Sequence, residues 1–256
     1  MAVFKQYTRE MHKEFGYFAT WAPNTELRLG DVGVIRGHRF DPVTSLAELG
    51  VAFPTSTTGP VSTFTYSSAG RVSASMSPEV GLPGLLGVDP TLVLTVTFTR
   101  KEATFFRAVR CEAQRIGDLP SVEASIRQLT AAKRWRGEYA VVTELVRTGP
   151  AIILVSSSSE TSVEVQVTAE SVPLPAPLSG AVGLGVGTSA SSGLAANVIT
   201  PQGGLTPLFR AAAMRRVGIG GRRLRVRERP GAADSAAREL TSVSWEEFAR
   251  EPVQHL

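Results

Sequence analysis

Cysteine and histidine are scarce in this chain. Of its 256 residues one is cysteine, Cys111, which excludes an intramolecular disulfide framework and any site built from several thiolates. The three histidines, His12, His38 and His255, are too scattered for a zinc cluster. No uncharged apolar run approaches the roughly 18–20 residues of a membrane-spanning helix. The opening, MAVFKQYTREMHKEF, is charged throughout and lacks the apolar stretch of a secretory signal, so the expected location is the cytoplasm. Catalytic motifs are missing as well: there is no G-x-S-x-G elbow, P-loop or His-Glu-x-x-His pair. The glycines at 183–187 have the spacing GxGxG, but neither a following helix nor the acidic residue that a dinucleotide fold needs. Glu123, Glu138 and Glu144 read as surface acids, and Cys111 as a buried structural thiol. The expectation is a protein that is not an enzyme and uses no cofactor or metal.

What is present is an ample supply of core residues and an uneven distribution of charge. Hydrophobic residues make up 43% and charged residues 20%, which suits a folded domain rather than a disordered one. The net charge of +4 divides into +7 over residues 1–230 and −3 over 231–256. The segment 209–230, FRAAAMRRVGIGGRRLRVRERP, carries eight arginines and one acid. A basic body with an acidic tail suits an anionic partner, lipid headgroups or nucleic acid, masked by the tail.

The first segment reads as a helix with Phe4, Tyr7, Met11 and Phe15 on its apolar face and a basic stripe of Lys5, Arg9 and Lys13, a pattern suited to a membrane surface. Short strands are expected in GYFATWAP and LRLGDVGVI. Strict alternation follows. Phe64, Tyr66, Ser68, Gly70, Val72, Ala74 and Met76 share one face of 61–77, and Leu92, Leu94, Val96 and Phe98 share one face of 91–100. Residues 102–116 read as a helix through Phe105, Val109 and Ile116. A second helix is expected over 121–135, with Val122, Ile126, Leu129 and Ala132 as its stripe and Gly137 as its stop. The run Ala140-Val141-Val142 in RGEYAVVTELV suggests a central strand. A second alternating pair spans 151–168, with Val163, Val165 and Val167 opposed by Glu164 and Gln166, and 181–199, with Val182, Leu184 and Val186 in register. Strands are expected again in LTPLFRAAAMRRV and RRLRVRER. A linker over 231–243 then leads to Ser244-Trp245-Glu246-Glu247, a capping box opening a short helix with Trp245 and Phe248 on one face.

This order of parts resembles the pore-forming domain of gasdermins, particularly the short bacterial members. RGEYAVVTELVRT at 136–148 is similar to the stretch in which a helix ends and a Val-Val-Thr-Glu segment leads into a long alternating strand. GGLTPLFRAAAMRRV at 203–217 resembles a later strand with an aromatic-Arg pair, here Phe209-Arg210, and FKQYTREM resembles the family's basic first helix. Bacterial relatives often carry a lipid-modified cysteine near the start, where this chain reads Ala2-Val3-Phe4.

The resemblance implies an α+β fold with a twisted, mostly antiparallel central sheet and peripheral helices. It implies a pore-forming domain over 1–230 and an autoinhibitory segment over 231–256. Removal of that segment by an activating protease would let a cytoplasmic monomer become a homo-oligomer in membrane lipids, forming a β-barrel pore that kills the cell in defence. Lys5, Arg9 and Lys13 would then meet the membrane surface. Phe64, Tyr66, Val72, Leu92, Leu94, Val96, Val163, Val165, Val182, Leu184 and Val186 would lie on inserting strands, and Trp245 and Phe248 would anchor the tail. The alternating runs independently have the roughly 9–11 residues that a strand needs to cross a bilayer. The competing class is a sheet-based binding module whose arginine-rich surface contacts nucleic acid. Nucleic acid is not the partner expected here.

Overall fold

The computed structural model describes residues 2–78, 91–168, 188–189, 193–216 and 238–251. Among them the chain runs α1 (Val3–Phe15), β1 (Phe18–Ala19), β2 (Asp31–Arg36), β3 (Arg39–Ser45), β4 (Thr55–Ser67), β5 (Val72–Pro78), β6 (Thr91–Phe98), β7 (Thr104–Ile116), α2 (Leu119–Ala131), β8 (Tyr139–Arg147), β9 (Ala151–Ser156), β10 (Thr161–Thr168), β11 (Thr188–Ser189), β12 (Leu194–Thr200), β13 (Leu208–Arg216), β14 (Arg238–Ser242) and α3 (Trp245–Ala249). Ten strands form a larger sheet with the main path β1-β13-β8-β7-β9-β12. To it β14 is added at β13, β2 at β8 with β3 beyond it, and β4 at β7. A smaller sheet has the order β11-β10-β6-β5. The fold is α+β, with antiparallel pairing in both sheets. The chain divides into two compact units, one of residues 1–27, 57–114 and 145–209, the other of 28–56, 115–144 and 210–256.

In the first unit the strand β9 and the first half of β7 are covered on both faces. On one face lie Tyr7 and Met11 of α1, packed with Phe106, Ala108, Ile153 and Val155. On the other, Phe105, Ile152 and Leu154 meet Leu94, Val96, Phe98, Val163 and Val165 of the smaller sheet. This double coverage is why all six residues of β9 are buried. The helix α1 stops where Gly16 takes a left-handed conformation, φ 69°, and its N–H bonds the His12 carbonyl.

Three expectations fail in this unit, each for a physical reason. Residues 102–116 are not a helix but the 13-residue strand β7. A bulge conceals its period: Arg110 has φ 50°, and the Gly149 N–H bonds the carbonyls of both Val109 and Arg110. Phe106 and Ala108 therefore share a core with Cys111 and Ala113, of opposite parity. The run 61–77 is not one strand. It breaks after Ser67 and resumes at Val72, with β4 in the larger sheet and β5 in the smaller. The run 151–168 likewise breaks between Ser156 and Thr161 into β9 and β10. Of the segment 181–199, residues 188–189 and 194–199 lie in strands, while Val182, Leu184 and Val186 fall outside the described residues.

The second unit is built around α2 and the β2–β3 hairpin, with Val32, Leu46, Val122, Ile126, Trp135, Val141 and Met214 in its core. Asp118 caps α2 by accepting from the Ser121 N–H, and the hydrogen bonds from Ser121 hold its carboxyl below the usual range. The helix ends earlier than expected, at Ala131 rather than near Gly137. The chain turns at Lys133, φ 57°, which lets Trp135 tuck edge-on against Tyr139. Two strands escaped the sequence reading. β3 contains Pro42 and is largely exposed. β14 lies where a linker was expected, pairing Arg238–Ser242 with Ala212–Arg216 of β13. The expected strand RRLRVRER lies outside the described residues.

Candidate functional site

The smaller sheet gathers the apolar residues of β5, β6 and β10 onto one surface. Val163 pairs with Val96, Val165 with Leu94, Ala74 with Val96 and Val72 with Phe98. Cross-strand neighbours point to the same side of a sheet, so these side chains form one apolar face. Leu94, Val96, Val163 and Val165 are buried, and Val72 and Ala74 are partly so. The opposite face carries Thr95, Thr97, Ser162, Glu164, Ser73 and Ser75, and Thr97 and Ser162 are hydroxyl neighbours at 3.3 Å. Leu92 stands opposite Val167 and Pro78 in the backbone register. Phe64 and Tyr66 are not in this sheet. They lie on β4, half-buried against the core under α1, with Phe64 edge-on to Phe15 at 5.0 Å.

The basic residues of α1 divide in exposure. Arg9 and Lys13 are exposed and Lys5 is half-buried, its ammonium 5.9 Å from the Phe4 ring centre. Glu10, which the sequence reading did not single out, faces inward. Its Oε1 accepts from Gln6 Nε2 at 2.8 Å and its Oε2 from Ser68 Oγ at 2.9 Å. Burial, and then the negative charge of Glu10, push the neighbouring Tyr66 phenol up.

The tail is seated on the second unit. Ser244 caps α3, with the reciprocal Glu247 contact of a capping box. Phe248 is fully buried, and its carbonyl accepts from the His38 N–H at the tip of the β2–β3 hairpin, while the Arg250 carbonyl accepts from the Gly37 N–H. The His38 ring meets Trp245 and Phe248 edge-on at 5.2 and 6.0 Å. Glu247 pairs with Arg215 at 2.8 Å. Burial of a phenylalanine is worth about 1.5–3 kcal/mol, and the half-exposed ion pair about 0–1 kcal/mol, so Phe248 is the main anchor. Beside this seat lies a cavity of about 290 Å³ lined by Val34, Arg36, Glu138, Arg215 and Glu247 among others.

Sequence reasoning found the anchors of the tail but not its seat. His38 was noticed only as an isolated histidine. Its left-handed conformation, φ 69°, turns the hairpin and aims the ring, and no local motif announces that. Cys111 is buried, and its thiol is pushed up to about 12 by that burial, the opposite of a reactive thiolate. Among the described residues no cluster of His, Cys, Asp and Glu could hold a metal ion, and no helix is long and apolar enough to cross a membrane. No protein-family model and no curated protein matches this chain in sequence.

Proposed function

We propose that this chain is an autoinhibited, gasdermin-like pore-forming protein. Its inhibitory segment is the tail carrying β14 and α3, and its inserting elements are the strands of the smaller sheet with their neighbours β4 and β9. One observation carries the reading: apolar parity continues where the strands do not. Phe64 and Tyr66 on β4 share parity with Val72 and Ala74 on β5, across the break at 68–71. On β9 both parities are apolar and buried, so the β4–β5 break is where the continued pattern is informative. A soluble two-sheet fold has no need of matched parity across a break. A single long strand with one lipid-facing side does. In a closed barrel every backbone group is paired, so such strands can cross a bilayer without an exposed edge.

In this reading membrane lipids are the partner, a second and further copies complete the barrel, and a protease cutting between β13 and β14 is the trigger. Tethered, the tail has an effective concentration on the order of millimolar, so a modest contact keeps it seated. Cut, it dissociates. The inactive protein is then cytoplasmic and the active one is in the membrane.

The test places a protease site within 231–237 and measures dye release from anionic liposomes. The intact chain should be inert and the cut chain should leak. The uncut Trp245→Ala/Phe248→Ala protein should leak without cleavage. A cut chain that stays folded and causes no release overturns the reading.

A further inference from the structure

The passages between the two sheets share a construction. The chain crosses from β4 to β5 at 68–71, from β6 to β7 at 99–103 and from β9 to β10 at 157–160, and it enters β12 at Gly193. Each of these places has one residue in the left-handed region: Gly70 (φ 64°), Glu102 (60°), Glu160 (58°) and Gly193 (112°). At these four places the left-handed residue lies where a strand ends or begins, unlike Gly59 within β4 and Arg110 within β7, and for a glutamate that conformation is costly. Two buried serines then tie the crossings to the start of β7. Ser156 Oγ accepts from the Ala103 N–H at 3.0 Å, and Ser68 Oγ accepts from the Thr104 N–H at 2.9 Å.

We propose that Glu10, Ser68 and Thr104 form a clasp by which α1 holds the bend between β4 and β5 closed, so that withdrawal of α1 from its seat lets residues 61–77 run as one strand. This rests on the pore-forming reading above and adds its release step. The geometry is specific. Ser68 exchanges a second bond with Thr104, its N–H donating to the Thr104 carbonyl at 3.0 Å, and its hydroxyl proton goes to Glu10 Oε2 at 2.9 Å. A hydroxyl has one proton, so donation to the carboxylate leaves its lone pairs for the Thr104 N–H. Ser68 is 2% exposed and Glu10 9%; Glu10 also lines an open cleft with Lys13, Glu14, Thr65 and Tyr66, so the Ser68–Thr104 side of the clasp is the part that has no ready substitute in water. Glu10 lies on the buried side of the helix with Tyr7 and Met11, where packing alone would favour an apolar residue. Lys5, Arg9 and Lys13 are on the same helix, and a surface that draws them away draws Glu10 from Ser68.

Two variants test the clasp, Ser68→Ala and Glu10→Met, the second keeping the size of the side chain but not its acceptor. In the full uncut chain both should keep the wild-type circular dichroism, and exchange of the Thr104 amide should rise at least about tenfold, the effect of losing a charge-assisted hydrogen bond. After cleavage in 231–237, both should release dye from vesicles of anionic phospholipid several-fold faster than the cut wild type. The double variant should be no faster than the faster single one, because both changes open one clasp. Glu160→Gly, which relieves the left-handed strain at another crossing, should slow release. If Ser68→Ala fails to fold, Glu10→Met carries the test. Cut wild type that leaks alongside variants with unchanged rates, or an unchanged Thr104 amide, overturns the clasp. Cut wild type that does not leak overturns the pore-forming reading itself.

Discussion

β9 and β10 lie four residues apart in sequence and are buried in opposite ways. All of Ala151–Ser156 is buried, because α1 and its core cover one face of β9 and the smaller sheet covers the other. In β10, Thr161, Val163 and Val165 are buried while Ser162 and Glu164 are exposed. A strand packed on two faces can leave its place only after both covers withdraw. A strand packed on one face can lift away with its hydrogen-bonded partners, since the ladder to β6 and the contact beneath it are separate interactions. On these physical grounds the smaller sheet should open before β9 does.

The sharpest way to break this contrast compares two fully buried phenylalanines. Phe106→Ala on β7 should lower global stability by about 3–5 kcal/mol in denaturant titration. Phe98→Ala on β6 should act mainly on the smaller sheet, raising amide exchange in 91–98 and 161–165 while 104–108 and 151–155 stay protected. Equal loss of protection in both sets would mean that the two sheets open together.

Charge reversal on α1 comes next. Lys5→Glu, Arg9→Glu and Lys13→Glu together should weaken cosedimentation with anionic liposomes by at least about 1 kcal/mol per basic residue removed. Unchanged binding at physiological salt would take α1 out of membrane capture, whatever its part in covering β7 and β9.

A smaller effect reports on that coverage through Cys111, which sits in the core beneath α1. Burial raises the thiol from an ordinary 9.0 to about 12, so the folded state keeps a proton that the unfolded chain loses. Stability from this source is complete below about pH 9 and declines as pH rises toward 12, by at most about 1.4 kcal/mol per pH unit. Denaturation midpoints compared at pH 8 and pH 10 should show the decline, and Cys111→Ala should remove its share. The least effect is expected at Thr97 on the open face of β6, where Thr97→Arg should change stability by no more than about 0.5 kcal/mol. A loss of several kcal/mol there would mean that the polar face of the smaller sheet is also covered.

Much of this fold is legible in sequence because short-range chemistry sets it. The stripe of Tyr7 and Met11, the capping box at Ser244, the buried triplet Val122, Ile126 and Leu129, and the alternation of Val163 and Val165 all follow from local periodicity. The misreading of β7 has an equally definite cause. One bulge at Val109–Arg110 inverts parity halfway along the strand, and the surviving spacing of Phe105, Val109 and Ile116 imitates a helix.

By itself the sequence determined the apolar faces of α1, α2, β5, β6 and β10, where the short helices begin, and that the basic body is followed by an acidic tail. These depend on side-chain chemistry at fixed spacing, and a linear pattern carries them completely. Tertiary structure decided which strands stop, which sheet each joins and what holds the tail. Ser68 becomes a clasp only because Glu10 and Thr104, 58 and 36 positions away, converge on its hydroxyl. His38 becomes a seat only because the β2–β3 turn presents it to Phe248. Hydrogen bonds between residues so far apart form only after the chain has folded, and no spacing in the sequence encodes them.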